Sequence, residues 1–304
     1  MRVLITGASG FVGSNVARVF GRHGAELLCP GHEDVDLTHA AGVRRFIAAT
    51  LPDTVLHCAI WNDALGLYAD RRRAWDTYVG ATRYVVDGAN AAGAHVVLVS
   101  TDWVFDGTQG PATEDTAPNP INLYGFLKAA SELVVSERAH RGAIARLSGV
   151  NGVHWARAES PRTQDAGFGY FVASIVDSLR AGRPFTVWES PDINMRATPT
   201  LATDAAELLW RITDRGAKGI FHGCGGEAID RRRLAELTVE AFELDHDLLE
   251  FGPPDPGALP PAAVPYDTSL DARATAAALE VHLPDVRTLL GRLRVELEAC
   301  WSVA

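Results

Sequence analysis

The sequence predicts an α/β architecture, a doubly wound parallel sheet followed by a smaller C-terminal lobe. Three observations carry that prediction. Short β-branched runs alternate with helix-length amphipathic segments, a glycine-rich turn directly follows the first run, and the alternation stops near residue 150. The runs RVLIT (2–6), ELLC (26–29), TVLHCA (54–59), HVVLVS (95–100) and AIARL (143–147) are the predicted strands. The first of them are continuously apolar, as strands covered on both faces should be. Between them, segments 11–24, 39–52, 71–93 and 122–142 place apolar residues at helical spacing, and most end at Gly or Pro. Beyond residue 150 the polar stretch NGVHWARAESPRTQDAGFGY (151–170) reads as a loop over a site or between lobes. Helices are expected at 169–181, 202–213 and 230–243, with a strand at 219–225. The stretch FGPPDPGALPPAAVP (251–265) is too rich in Pro and Gly for regular structure, and two helices should follow it.

Composition narrows the function classes. A chain of 304 residues with 47% hydrophobic and 22% charged residues suits a soluble globular protein. A formal charge of −10 argues against nucleic acid or an anionic membrane as partner. Cys29, Cys58, Cys224 and Cys300 are far apart, with no C-x-x-C and no clustered histidines, so neither a disulfide framework nor a metal site is expected. No apolar run approaches the roughly 20 residues that span a bilayer. The glycine-rich turn begins at Thr6, so a cleavable leader would remove it, and a cytoplasmic location is expected.

In ITGASGFVGSNV, Gly7, Gly10 and Gly13 stand between a strand and a helix beginning near Phe11. Glycines in that context let the backbone approach a pyrophosphate, which then rests on the positive end of the helix. This makes the sheet Rossmann-type and residues 1–150 a dinucleotide-binding domain. Some of the segments from about 169 to 224 return to it, and residues 151–304 form mainly a substrate-binding lobe. At the end of the second strand the chain reads CPGHE, with glycine or histidine where the acid that binds an adenosine ribose would sit. That permits NADP(H), preferred here, with His32 or Arg22 facing the extra phosphate; Glu33 would restore NAD(H). Asp36 and Leu37 suit an adenine edge and face, or simply the approach to a helix N-cap.

Tyr124 and Lys128 in YGFLK lie one helical turn apart, and only two of the 28 basic Lys and Arg residues are lysines. A cation about 4 Å from a phenol is worth roughly 4 kcal/mol at an effective dielectric near 20, or about three pKa units at most. The amine would let the phenol exchange protons near neutrality, as reduction of a carbonyl requires.

These motifs resemble the extended short-chain dehydrogenase/reductase superfamily. Within it, STDWVFDG (100–107) and NLYGFLKAASE (122–132) resemble dTDP-4-dehydrorhamnose reductases and their relative, the regulatory β subunit of methionine adenosyltransferase. The resemblance implies a catalytic set of Thr101, Tyr124 and Lys128. The expected cofactor-binding set is Gly7, Ser9, Gly10, Phe11, Val12, Gly13, His32, Asp36, Leu37, Cys58, Ala59, Ile60, Ser100, Tyr124 and Lys128. Asp102, Ser148, Asn151 and Arg196 are expected to meet substrate, Arg196 at a diphosphate unless it serves as a surface salt bridge. Trp155, Phe168, Tyr170 and Phe171 could stack on a base or sugar, though Phe171 equally suits a core.

Three departures mark the chain. Tyr78 in YVGAT replaces the usual asparagine, Gly149 in RLSG replaces a sugar-contacting tryptophan, and WNDALGLYADRRR (61–73) replaces an acidic segment. The expected activity is NADPH-dependent reduction of a nucleotide-linked 4-keto-6-deoxy sugar. A nucleotide-sugar epimerase and a non-catalytic NADP-binding regulatory subunit are the alternatives. TDW supplies one carboxylate where a dehydratase needs an acid–base pair. The chain could pair as a homodimer.

Overall fold

The computed structural model describes residues 1–157, 164–255 and 257–301, so the centre of the loop expected at 151–170 lies outside the described residues. Its first half alternates as follows: β1 (Arg2–Thr6), α1 (Phe11–Arg22), β2 (Glu26–Leu28), α2 (Ala40–Thr50), β3 (Thr54–His57), α3 (Ala64–Ala69) and α4 (Arg71–Trp75). A π-helical turn, Asp76–Gly80, leads into α5 (Ala81–Ala92), followed by β4 (His95–Thr101), α6 (Leu123–Arg138) and β5 (Gly142–Leu147). The later elements are β6 (Val150–Asn151), α7 (Phe171–Arg180), β7 (Phe185–Trp188), β8 (Arg196–Ala197), β9 (Thr200–Leu201), α8 (Ala202–Asp214) and β10 (Gly219–Gly223). β11 (Ile229–Asp230), α9 (Arg231–Phe242), β12 (Leu249–Gly252), α10 (Arg273–Leu279) and α11 (Val286–Trp301) complete the described chain.

Six strands form one parallel sheet in the order β10-β5-β4-β3-β1-β2. The connection from β1 runs outward to β2, and the chain then returns to the other side of β1 for β3. That reversal opens a crevice at the carboxyl ends of β1 and β3, where ligands bind in open α/β sheets. Alternation within β1 assigns each face its core. Val3 and Ile5 pack with Val16, Val19 and Phe20 of α1 and Leu209 and Ile212 of α8. Leu4 packs with Val43 and Ile47 of α2, Val85 and Val86 of α5 and Val135 of α6.

A separate core joins α7, α9 and α11 through Phe171, Val172, Leu234, Leu237, Leu290 and Leu293. Phe168 and Tyr170 are also buried, so these rings serve packing rather than an open stacking surface. The short strands β6, β7, β8, β9, β11 and β12 escape the sequence reading. FTVW of β7 pairs in parallel with LEFG of β12, the latter running into the Pro-rich stretch read as wholly irregular. Likewise 71–93, read as one continuous helix, is broken by the π-helical turn. Among the described residues no helix is long and apolar enough to cross a membrane.

Candidate active site

The glycine turn is built by close backbone approach. Gly7 has a φ of 73°, and a Cβ there would lie 2.7 Å from the Cα of Ala59 across the β1–β3 crevice. A Cβ on Gly13 would overlap the carbonyl oxygen of Gly7. Both positions therefore require glycine. Gly10 caps α1 without a side-chain hydrogen bond, so no capping side chain covers the first-turn N–H groups. Those donors and the helix dipole make a cradle for an anion, and the Cβ-free approach fits a dinucleotide pyrophosphate. Ser9 and Gly10 are exposed, while Phe11 and Val12 are half-buried. The adjoining β3 end carries Cys58 and Ala59, half-buried, and Ile60, exposed. The expected cradle residues thus converge at one crevice.

The adenosine end is less committed. His32 and Asp36 are exposed, and Asp36 accepts from the backbone N–H and hydroxyl of Thr38, which holds its carboxyl below the usual carboxylate range. Leu37 is half-buried against the α2–α5 core. The Arg22 guanidinium sits 3.4 Å from Glu207, so His32 is the freer partner for a phosphate. The Glu33 carboxylate folds against Gly31, at the end of β2.

Asn122 starts α6 by accepting the Gly125 N–H at 2.8 Å, which puts Tyr124 in the first turn. A Cβ on Gly125 would collide with the Trp103 carbonyl, so this glycine lets the helix start against the loop after β4. Half-buried Tyr124 stands edge-on between two rings, Trp103 at 6.0 Å and Tyr78 at 6.2 Å between centroids. One turn on, Lys128 is buried and donates to the Val99 carbonyl at 2.9 Å. Burial lowers its pKa to about 8, against smaller opposing influences from Cys58 and Glu132.

Thr101 and Asp102 stand where β4 ends. The Thr101 hydroxyl donates to Asp102 at 3.0 Å and accepts the Trp103 N–H at 3.3 Å. Ser148 donates to the other Asp102 oxygen at 2.8 Å, and Thr268 adds a further hydrogen bond. Burial nonetheless pushes the Asp102 carboxyl up. Register explains the cluster: Ser100 lies opposite Arg146 and Thr101 opposite Leu147, so Ser148 falls beside Asp102. Beneath it, Glu132 receives Ser100 and the buried Arg146 guanidinium, whose Nη2 is 2.8 Å away. A hydroxyl has one hydrogen, so Thr101 cannot donate to Asp102 and to substrate together.

The substrate residues do not converge as expected. Ser148 is fully buried beneath Asp102. Asn151, 1% exposed, spends its amide on Gly149 and on the Val172 N–H, fastening the start of α7. Arg196 is exposed, 3.7 Å from Asp267, and lines a 370 Å³ cleft with Glu227, Asp230 and Arg287. Trp155 is bound to α1 through Asn15 at 3.1 Å and lies 3.7 Å from the Arg18 guanidinium. Trp103, Glu132, Arg146 and Asn15 escaped the sequence reading. Two signals were present: Glu132 lies one turn beyond Lys128, and Arg146 interrupts an apolar strand.

Comparison with known proteins agrees with this architecture. The chain is 28% identical to methionine adenosyltransferase 2 subunit beta of Xenopus tropicalis over 255 residues, 80% of this chain and 72% of that one. It is 26% identical over 250 residues to dTDP-4-keto-6-deoxy-D-glucose reductase of Streptomyces niveus, covering 80% of each. The crystal structure of dTDP-4-dehydrorhamnose reductase from Bacillus anthracis in complex with NADP superposes with a TM-score of 0.83 at 21% identity, covering 97% of this chain and 99% of that one. The model of the RmlD substrate binding domain matches residues 1–298, and with the glycine turn and the Tyr124–Lys128 helix this places the chain in that family.

Proposed function

We propose that the protein is an NAD(P)-dependent oxidoreductase that reduces a 4-keto-6-deoxy sugar carried on a nucleotide, with NADPH preferred. The carrying observation is Tyr124 fixed between two aromatic rings, one turn from buried Lys128. Family membership and the reductases among its relatives support the same reading. Gly7, Ser9, Gly10, Phe11, Val12 and Gly13 would hold the pyrophosphate, with Cys58, Ala59, Ile60 and Ser100 beside the rest of the dinucleotide. The bound cofactor supplies hydride to the keto carbon. Tyr124 gives its hydroxyl hydrogen to the carbonyl oxygen, so the product is an alcohol and the phenolate recovers a proton from water. Lys128 would favour that phenolate and hold the nicotinamide ribose. A protonated Asp102 would donate to Thr101 and free the Thr101 hydrogen for the substrate oxygen, an assignment its raised pKa favours.

On this reading residues 1–150 hold the cofactor and residues 151–304 mainly the sugar nucleotide. A cytoplasmic location and a homodimer belong to the same proposal. The test is incubation of the protein with NADPH or NADH and a panel of nucleotide-linked 4-keto sugars, following reduced nicotinamide. Consumption of NADPH supports the reductase. Isomerised product without consumption would replace it by an epimerase. Silence with intact NADPH binding would favour a regulatory subunit, a second reading motivated by the methionine adenosyltransferase relative.

Lys128 yields a separate expectation. Its ammonium is present below about pH 8 and lost above it, so NADPH affinity should fall as pH rises through 8. Lys128→Ala should weaken binding by about tenfold to a hundredfold at pH 7, the worth of charge-assisted hydrogen bonds, and flatten that profile. Fluorescence titration from acid to alkaline pH reads both, and unchanged affinity in the variant removes the ribose contact.

A further inference from the structure

Tyr78 touches both members of the proposed proton-transfer pair. It lies in the π-helical turn, 3% exposed. Its ring meets Tyr124 at 84°, and the Lys128 ammonium lies 5.7 Å from its centroid, within cation–π range. The hydroxyl donates to the Trp61 carbonyl at 3.0 Å, which anchors the ring at its polar end.

We propose that Tyr78 is a positioning residue: its ring walls the Lys128 ammonium from water and sets the angle of the Tyr124 ring. The inference deepens the reading of Tyr124 and Lys128 as a working pair and rests on it.

The surroundings of Lys128 show why the wall matters. Its own helix presents Tyr124 and Glu132, and Glu132 is committed to Arg146 and Ser100. The end of β3 presents His57, held neutral with a pKa lowered to about 3 by burial and then by Lys128 itself. It also presents the Cys58 thiol, pushed up to about 12 by burial. β4 offers a carbonyl, that of Val99. The charge of Lys128 is therefore governed mainly by how dry its pocket is, and Tyr78 is the ring that closes the side toward α4 and α5. A small polar side chain at residue 78 would leave room for water and release the amine toward the ordinary lysine range.

The chain's two lysines make the test direct. Biosynthetic [ε-¹³C]lysine gives one carbon signal each for Lys128 and Lys218, and Lys218→Arg assigns them. In cofactor-free protein, Tyr78→Phe, which keeps the ring, should titrate within a few tenths of a pH unit of wild type. Tyr78→Asn should raise the Lys128 midpoint by about one unit or more. An Asn variant titrating like wild type overturns the proposal. So does a Phe variant that shifts the midpoint by a unit, a measurement that stands even if the Asn variant fails to fold. With a substrate in hand, the alkaline limb of kcat/KM should move with each NMR midpoint. If the midpoints behave as expected and no keto sugar is reduced, the wall stands and the catalytic reading falls.

Discussion

Tyr124→Phe is expected to lower turnover by about 10²–10⁴-fold, the usual contribution of a positioned proton donor, equivalent to about 3–5 kcal/mol of barrier. The change removes one hydroxyl and keeps the ring with its two aromatic neighbours. Asn122 still caps α6, Gly125 still passes the Trp103 carbonyl, and the edge-on contacts with Trp103 and Tyr78 need only the ring. Cofactor affinity should stay within about threefold of wild type, because the cradle at Gly7 to Gly13 is backbone and lies on another element. Single-turnover measurement with saturating NADPH separates the two effects. Turnover within tenfold of wild type would remove Tyr124 from the proton path, whereas an equal loss in affinity and rate would mean that the hydroxyl acts through cofactor binding.

The parts legible in the sequence share one property, that local pattern and tertiary role coincide. VLI in β1 is apolar because both faces are covered, and Gly7 and Gly13 are glycine because backbone crowds them. The i,i+4 geometry of Tyr124 and Lys128 needs nothing beyond a helix. Where roles depend on distant partners the pattern is silent. Asn151 looks like a polar residue at a strand end open to ligand, yet Gly149 and Val172 consume its amide. The strand LEFG is short, precedes Pro253, and becomes a strand only because FTVW lies alongside. Arg196 fits a phosphate clamp by residue type, but its pairing with Asp267 follows from a β-bridge to a segment 71 positions later, invisible to spacing. The π-helical turn is similar: DTYVG continues a helical pattern and breaks it only in three dimensions.

The pair under the site sets the largest stability effect. Arg146→Met should destabilise the protein by about 3–5 kcal/mol, because it leaves Glu132 buried without its counter-ion. The guanidinium is 1% and the carboxylate 4% exposed, and Nε and Nη2 together hold both carboxylate oxygens. Much of that cost is the stranded charge rather than the lost attraction, since burying the intact pair was itself expensive. The combined change Glu132→Leu with Arg146→Met should therefore recover most of the loss in the denaturation midpoint. It would not restore the site to the same degree. Glu132 also receives the Ser100 hydroxyl and raises the Lys128 pKa, so the double variant should release Ser100 at the end of β4 and drop the Lys128 midpoint further below 8. Denaturant melts of the single and double variants, with the lysine titration run on the double variant, test both halves. A single variant losing less than about 1 kcal/mol would show that Glu132 takes up a proton or reaches water, and the buried pair would no longer count as a foundation of the active site.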